Sequence, residues 1–143
     1  MRKILFMATL ALLATACQPK EETTKAPITK PEIVIPGGRL TPEALWAMGR
    51  INSVHPDAVS GLIAYTVSYY NVEENRSTSW IRVCRTDNGE LKTESEFVGH
   101  SPAWHNGELC YINAKGEVVI GNKTLTGFDK DIEGFLLSPQ GDK

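Results

Sequence analysis

The spacing of apolar residues changes character three times along this chain, and each change marks a different task. Residues 1–16 hold 12 apolar residues behind the basic start Met1-Arg2-Lys3, with Thr9 alone breaking the run Ile4 to Leu13. Such a run is too short to span a bilayer easily as a permanent helix. A basic start, an apolar middle and the small residues Ala14-Thr15-Ala16 before Cys17 read as a secretory signal. Residues 18–39 contain four of the eight prolines (Pro19, Pro27, Pro31, Pro36), with Lys, Glu and Thr filling most of the rest. That composition buries little and predicts an extended, mobile spacer. Ile33-Val34-Ile35 is its one apolar patch and a candidate for docking onto the folded part.

The rhythm then turns briefly helical. In Leu40–Gly49, Thr41 can cap, Pro42 suits the first helical position, Glu43 suits the positive end, and Gly49 can stop the helix. Beyond it the period falls to two. Ile63, Tyr65, Val67 and Tyr69 share one face of a predicted strand over 62–71, and Ile81 and Val83 share a face of one over 79–85. Further strands are predicted over 109–112, 117–120 and 124–126. Asp87-Asn88-Gly89 is a hairpin signal, because Asn-Gly accepts positive φ; Lys115-Gly116 and Gly121-Asn122 supply other turns. With no helix between strands, the expectation is an all-β chain of antiparallel meanders rather than a parallel α/β sheet.

Composition adds constraints. The 143 residues carry 15 basic against 17 acidic side chains, and loss of Arg2 and Lys3 with the signal leaves 13 against 17. That balance argues against a nucleic-acid partner, which calls for clustered basic charge. Three cysteines are too few for a disulfide scaffold and do not form a zinc-type cluster. No metal or cofactor is expected. His55, His100 and His105 sit in turns and read as surface residues. Cys84 and Cys110 fall on predicted strands in an oxidising compartment, so a disulfide between them is permitted; buried free thiols are the equal alternative. Trp46, Trp80 and Trp104 stand in scattered contexts that suit packing better than a sugar platform. Glu73-Glu74 reads as a solvated loop rather than an amine-binding pair.

Three turns recur in phase. His55-Pro56-Asp57, His105-Asn106-Gly107-Glu108 and Ser138-Pro139-Gln140-Gly141-Asp142-Lys143 each launch a strand or end where one is due. Aligning Asp57, Asn106 and Gln140 gives spacings of 49 and 34 residues, whose mean lies near the roughly 40–45 residues of a four-stranded propeller blade. The turns resemble the Ser-Pro-Asp-Gly-Lys motif of TolB-type propellers, with Asn106 in place of Asp and no Gly after Asp57. Pro102-Ala103-Trp104 resembles the usual lead-in to that motif. Leu13 to Cys17 resembles a bacterial lipobox, with Leu13 one position earlier than usual. That resemblance implies cleavage before Cys17, lipidation of Cys17 and stable membrane attachment through its acyl chains. Gln18 after the cysteine implies the outer membrane; Lys20-Glu21-Glu22 resembles a surface-export signal, leaving periplasmic and surface-facing placements both open.

Over residues 40–143 the chain resembles the start of the propeller in prolyl-oligopeptidase-family serine peptidases, of the dipeptidyl-peptidase 5 and acylaminoacyl-peptidase-like lipoprotein type of Bacteroidetes. The residues that carry this are Leu40 to Arg50, Leu62 to Asn75, and Ser95-Glu96-Phe97 before Pro102-Ala103-Trp104. The resemblance implies about two blades of a TolB/WD-like β-propeller, in a family where the propeller filters and orients peptides for an α/β-hydrolase. The Gly-x-Ser-x-Gly nucleophile of that hydrolase does not occur in this sequence. Gly99-His100-Ser101-Pro102-Ala103 comes nearest, but Pro102 has no N–H to offer an oxyanion. No catalytic residue is therefore expected here. The chain divides into a signal (1–16), a lipid-anchored tether (17–39) and a partial propeller (40–143). It reads as a truncated peptidase propeller, inactive alone, whose peptide substrates belong to a full-length form. The alternative is a free-standing outer-membrane lipoprotein with a small β-sheet binding module.

Overall fold

The structure, a computed structural model, describes residues 25–127 and 132–138. The signal, Cys17, Gln18, Lys20-Glu21-Glu22 and most of the third turn lie outside the described residues. The chain is predominantly β. Among the described residues seven strands run β1 (Arg50–Pro56), β2 (Leu62–Asn71), β3 (Arg76–Asp87), β4 (Glu90–His105), β5 (Glu108–Asn113), β6 (Val118–Ile120) and β7 (Lys123–Leu125). Each pairs antiparallel with its neighbour in sequence, so the sheet order is the chain order and β1 and β7 are its open edges. The α-helix α1 (Pro42–Ala47) leads into β1, and Thr41 caps it by accepting from the Ala44 N–H at 3.2 Å.

Local chemistry sets the hairpins. Asn88-Gly89 and Asn106-Gly107 adopt φ of 51° and 82°, and 49° and 80°. Two consecutive left-handed residues make the tight turn whose twist matches antiparallel strands. The first links β3 to β4 and the second β4 to β5, as the Asn-Gly pairs predict. The β1–β2 turn is tied by Asp57. Its carboxylate accepts from the Ser60 N–H at 2.7 Å, while its own N–H donates to the Leu62 carbonyl at 2.8 Å.

Two strands escape the period-two reading. In β1 the register slips between Ile51 and Ser53. The bulge breaks strict alternation, and Asn52 reaches the Ser68 hydroxyl at 2.6 Å. In β4 the stretch Glu90–Glu96 is too polar to read as a strand. Its charges instead pair across the ladder, Arg82 with Glu96 at 3.1 Å and Arg85 with Glu94 at 2.9 Å. Exposed pairs of this kind select register more than they stabilise.

β4 is shared between two parts of the sheet. Through Val98 it pairs with β3; from Gly99 onward it pairs with β5. Just beyond the change, the β4–β5 ladder bulges between His100 and Ala103, where Ser101 has φ of 54° and Pro102 is fully buried. Side chains of the second part then cover one face of the first. Ala64, Ile81 and Val83 form the buried cluster, and Phe97, Trp104, Leu109 and Tyr111 pack on it. Phe97 and Tyr111 lie 4.6 Å apart between ring centroids, within the range of favourable aromatic contacts. The Trp104 indole donates to the His55 carbonyl at 2.8 Å.

This arrangement amends the expected core of β2. Val67 and Tyr69 are buried on the predicted face, but Ile63 and Tyr65 are only half-buried. The opposite face holds Ala64, Thr66 and Ser68, all buried. Small side chains there admit the second part of the sheet. The two hydroxyls are satisfied by Ser53 at 3.2 Å and Ser79 at 2.8 Å, as buried polar groups require. The face with the largest residues is therefore not the only buried one.

Asp57 also gives the fold a pH dependence. Hydrogen bonds from the Ser60 side chain, and then from its N–H, hold the Asp57 carboxyl below its ordinary 3.8. A depressed folded value means that the unfolded chain binds more protons as pH falls below about 4. The stabilisation is present above that range and lost as pH drops through the folded value. Thermal midpoints followed from about pH 5 to pH 2.5 should fall more steeply for the natural chain than for Asp57→Asn; parallel curves would refute the linkage.

Candidate functional site

The best-formed group of exposed functional side chains lies where α1, the start of β1 and the end of β2 meet. Gly49 makes the meeting possible. A Cβ there would stand 2.6 Å from Tyr69 Cε1 and 2.8 Å from Val67 Cγ2, so the link between α1 and β1 lies directly on β2. Trp46 and Tyr70 are thereby brought edge to face, 5.9 Å apart at 64°. The Arg50 guanidinium stands 4.6 Å from both ring centroids, a cation–π arrangement. Its Nη1 is buried with no acceptor, so the aromatic faces rather than a carboxylate hold this charge.

Two clefts flank the cluster. One of about 300 Å³ lies between Trp46, Tyr70, Val72, Asn75 and Arg76. The other, of about 590 Å³, is walled by Ile28, Pro31, Glu43, Trp46, Tyr70 and Glu73. Aromatic faces beside two carboxylates suit apolar or cationic side chains of an extended peptide.

The β2–β3 turn separates the two adjacent glutamates. Glu74 is engaged on every side, with Arg76, with the Asn71 amide at 3.2 Å and with Lys25 at 3.4 Å. The Arg76 hydrogen bond, chiefly, holds its carboxyl below the ordinary 4.5. Glu74 thus braces a turn, as a solvated loop reading implies, while Glu73 lines the larger cleft. Trp80 and Trp104 are half-buried and donate to backbone carbonyls, which fits packing. Trp46 is 46% exposed and faces a cleft.

The histidines are scattered. His55 contributes its carbonyl to Trp104, His105 Nε2 lies 2.9 Å from the Asn106 amide, and His100 Nδ1 lies 3.1 Å from Ser101 Oγ. Beside Ser101, Pro102 still offers no N–H, so the pair lacks the first donor of a hydrolase oxyanion hole. Among the described residues no three His, Cys, Asp or Glu side chains are grouped to hold a metal ion. No helix of the described residues is long and apolar enough to cross a membrane.

Cys84 and Cys110 are both free and fully buried. They keep different company: Cys84 Sγ lies 3.6 Å from the Thr93 hydroxyl, and Cys110 Sγ 3.9 Å from the Glu108 carbonyl. Burial, with Glu108 nearby, pushes the Cys110 thiol up, which lowers its thiolate fraction. Iodoacetamide should therefore leave both unmodified in the native chain and alkylate both after denaturation without reductant. Mass spectrometry showing a Cys84–Cys110 bridge in place of alkylation would disprove this.

Sequence spacing did not foresee the Trp46–Arg50–Tyr70 cluster or the place where the tether docks. Of the apolar patch, Val34 and Ile35 are exposed and Ile33 is half-buried; the residue held by hydrogen bonds is Ile28, through its main chain. Comparison with protein-family models, curated proteins and solved structures finds no match to this chain.

Proposed function

We propose that this chain is the propeller region of a secreted, lipid-anchored serine peptidase of the prolyl-oligopeptidase type, gating and orienting peptides for an α/β-hydrolase. The observation that carries this reading is the division of the meander at Gly99. β1, β2, β3 and the first part of β4 make one four-stranded antiparallel unit; the second part of β4 with β5, β6 and β7 makes another. Successive four-stranded antiparallel units with no intervening helix are what consecutive propeller blades require. The turns at Asp57 and Asn106 recur at equivalent places in the two units. In this role the chain holds no nucleophile, and Cys17 ties it to the outer membrane. Sequencing the DNA downstream of the coding region tests the reading. A continuing frame that encodes Gly-x-Ser-x-Gly is expected; an authentic stop followed by intact unrelated sequence defeats it. Incorporation of labelled palmitate that disappears in Cys17→Ser tests the anchor.

A second reading, a free-standing envelope lipoprotein with a β-sheet binding module, is favoured by the aromatic cleft beside Tyr70. Under that reading residues 25–143 unfold as a cooperative monomer. Aggregation or a molten state favours the propeller region instead.

A further inference from the structure

The segment Lys25-Ala26-Pro27-Ile28-Thr29-Lys30-Pro31 is held in an unusual way for a linker. The Ile28 N–H donates to Thr78 Oγ1 at 2.9 Å, and the Ile28 carbonyl accepts from Trp80 Nε1 at 2.7 Å. Both main-chain groups of one residue are thus gripped by two side chains. Thr78 and Trp80 are two residues apart on β3, so the pleat sets them on one face of the sheet. The N–H and carbonyl of a single extended residue point to one side, and these two side chains meet them there. Pro27 and Pro31 bracket the gripped residue and favour an extended backbone. Lys25 reaches Glu74 at 3.4 Å, three positions before Ile28.

A grip on main-chain atoms does not depend on the side chain of the gripped residue. Side-chain selectivity comes from the surroundings: Glu74 for a cation, and the cleft of about 590 Å³ that opens from Ile28 and Pro31 toward Trp46, Tyr70 and Glu73. Main-chain hydrogen bonds with flanking side-chain pockets are how proteins hold extended peptides. Lys25, Ala26, Pro27, Thr29 and Lys30 are exposed, and the Lys25–Glu74 pair, the segment's one ion pair among the described residues, is solvent-accessible, so the segment is weakly held.

We propose that the Thr78–Trp80 face is a peptide-binding channel, and that Lys25–Pro31 is its resident, displaceable occupant. The channel takes in trans an extended peptide with a cationic residue three positions before a proline-flanked apolar residue. This inference stands on the sheet face and needs neither the propeller nor a hydrolase, so either can fail without the other.

The test uses the full chain and a fluorescent synthetic peptide of sequence Lys-Ala-Pro-Ile-Thr-Lys-Pro. Ile28→Pro removes the N–H that Thr78 accepts and should free the channel. Anisotropy should show the peptide binding about tenfold tighter to Ile28→Pro than to the natural chain, as expected for removal of a competing hydrogen-bonded occupant. Adding Trp80→Phe or the near-isosteric Thr78→Val to Ile28→Pro should weaken binding about tenfold. A peptide N-methylated at its isoleucine should lose a similar factor on the natural chain and on Ile28→Pro, and little more on the Thr78→Val background, where the acceptor of that N–H is already gone. Should Ile28→Pro fail to fold, the natural chain at high peptide concentration makes the same distinction, since the Trp80 indole resonance should shift with the plain peptide and not with the N-methylated one. Absence of saturable binding to folded Ile28→Pro, or equal binding of the plain and N-methylated peptides to proteins that keep Thr78, overturns the proposal.

Discussion

Ile81→Ala is expected to lower the unfolding free energy by about 3–4 kcal/mol, the range for truncating a fully buried aliphatic side chain that leaves a cavity. Ile81 is completely buried, between Ala64 and Val83 on its own sheet face and the side chains of the second part of the sheet. Its cross-strand neighbours are Thr66 and Phe97. Thr66 is fixed by a ladder on either side, and Phe97 by its ladder with β3 and its ring contact with Tyr111, so the site has little room to collapse and the cavity cost should be near its upper range. In a folded part of about 100 residues, each kcal/mol lowers the midpoint by roughly 4–8 °C. Ile81→Val should cost only about 1 kcal/mol. Ile51, 65% exposed on the edge strand, serves as the control, and Ile51→Ala should stay within about 0.5 kcal/mol. Urea unfolding of the three variants decides the matter. An Ile81→Ala loss no larger than that of Ile81→Val would mean that the second part of the sheet does not seal this face.

What could be read from the sequence were the features whose cause is local. Strand β2 has the bounds its alternation gives, because Leu62 to Asn71 pairs along its whole length with β3 without a bulge. The Asn-Gly hairpins and the Thr41-Pro42-Glu43 helix start are likewise written in adjacent residues. Strand β4 was hidden because Glu90–Glu96 is polar, and its pairing is set by the backbone ladder and cross-strand charges on β3 that lie far away in sequence. Strand β1 was hidden by one extra residue at Asn52. The candidate site was the least legible. Trp46, Arg50 and Tyr70 meet only because Gly49 lets one segment lie on another, and nothing in the spacing of 24 residues between the two rings announces it. In the tether, side-chain hydropathy marks Ile33-Val34-Ile35, of which Ile33 alone is half-buried, and is blind to the backbone atoms of Ile28 that bond to β3.

Gly99→Ala should be nearly as damaging as the Ile81 truncation, for the opposite reason. Gly99 sits where β4 leaves β3 and takes up β5. An added Cβ would stand 2.8 Å from the Ile112 carbonyl oxygen and 3.2 Å from both Ile81 Cδ1 and Tyr111 Cδ2. The two side-chain tips can turn aside, but the carbonyl belongs to β5, which is registered against β4 through Gly99↔Asn113 and His100↔Ile112. Relief therefore means moving one strand against the other, an overpacking cost of about 2–3 kcal/mol. Gly134, with nothing within 4 Å of an added Cβ, is the control and should tolerate alanine within about 0.5 kcal/mol. The sharper test is the combination with Ile81→Val. If Ile81 shares in the crowding, trimming it makes room, and the double variant should lose less than the two single losses together by on the order of 0.5–1 kcal/mol. Strict additivity would put the whole clash on the backbone of β5. A Gly99→Ala loss below about 0.5 kcal/mol would mean that the two parts of the sheet meet less closely at this residue, and the division of the meander into two four-stranded units would lose its hinge point.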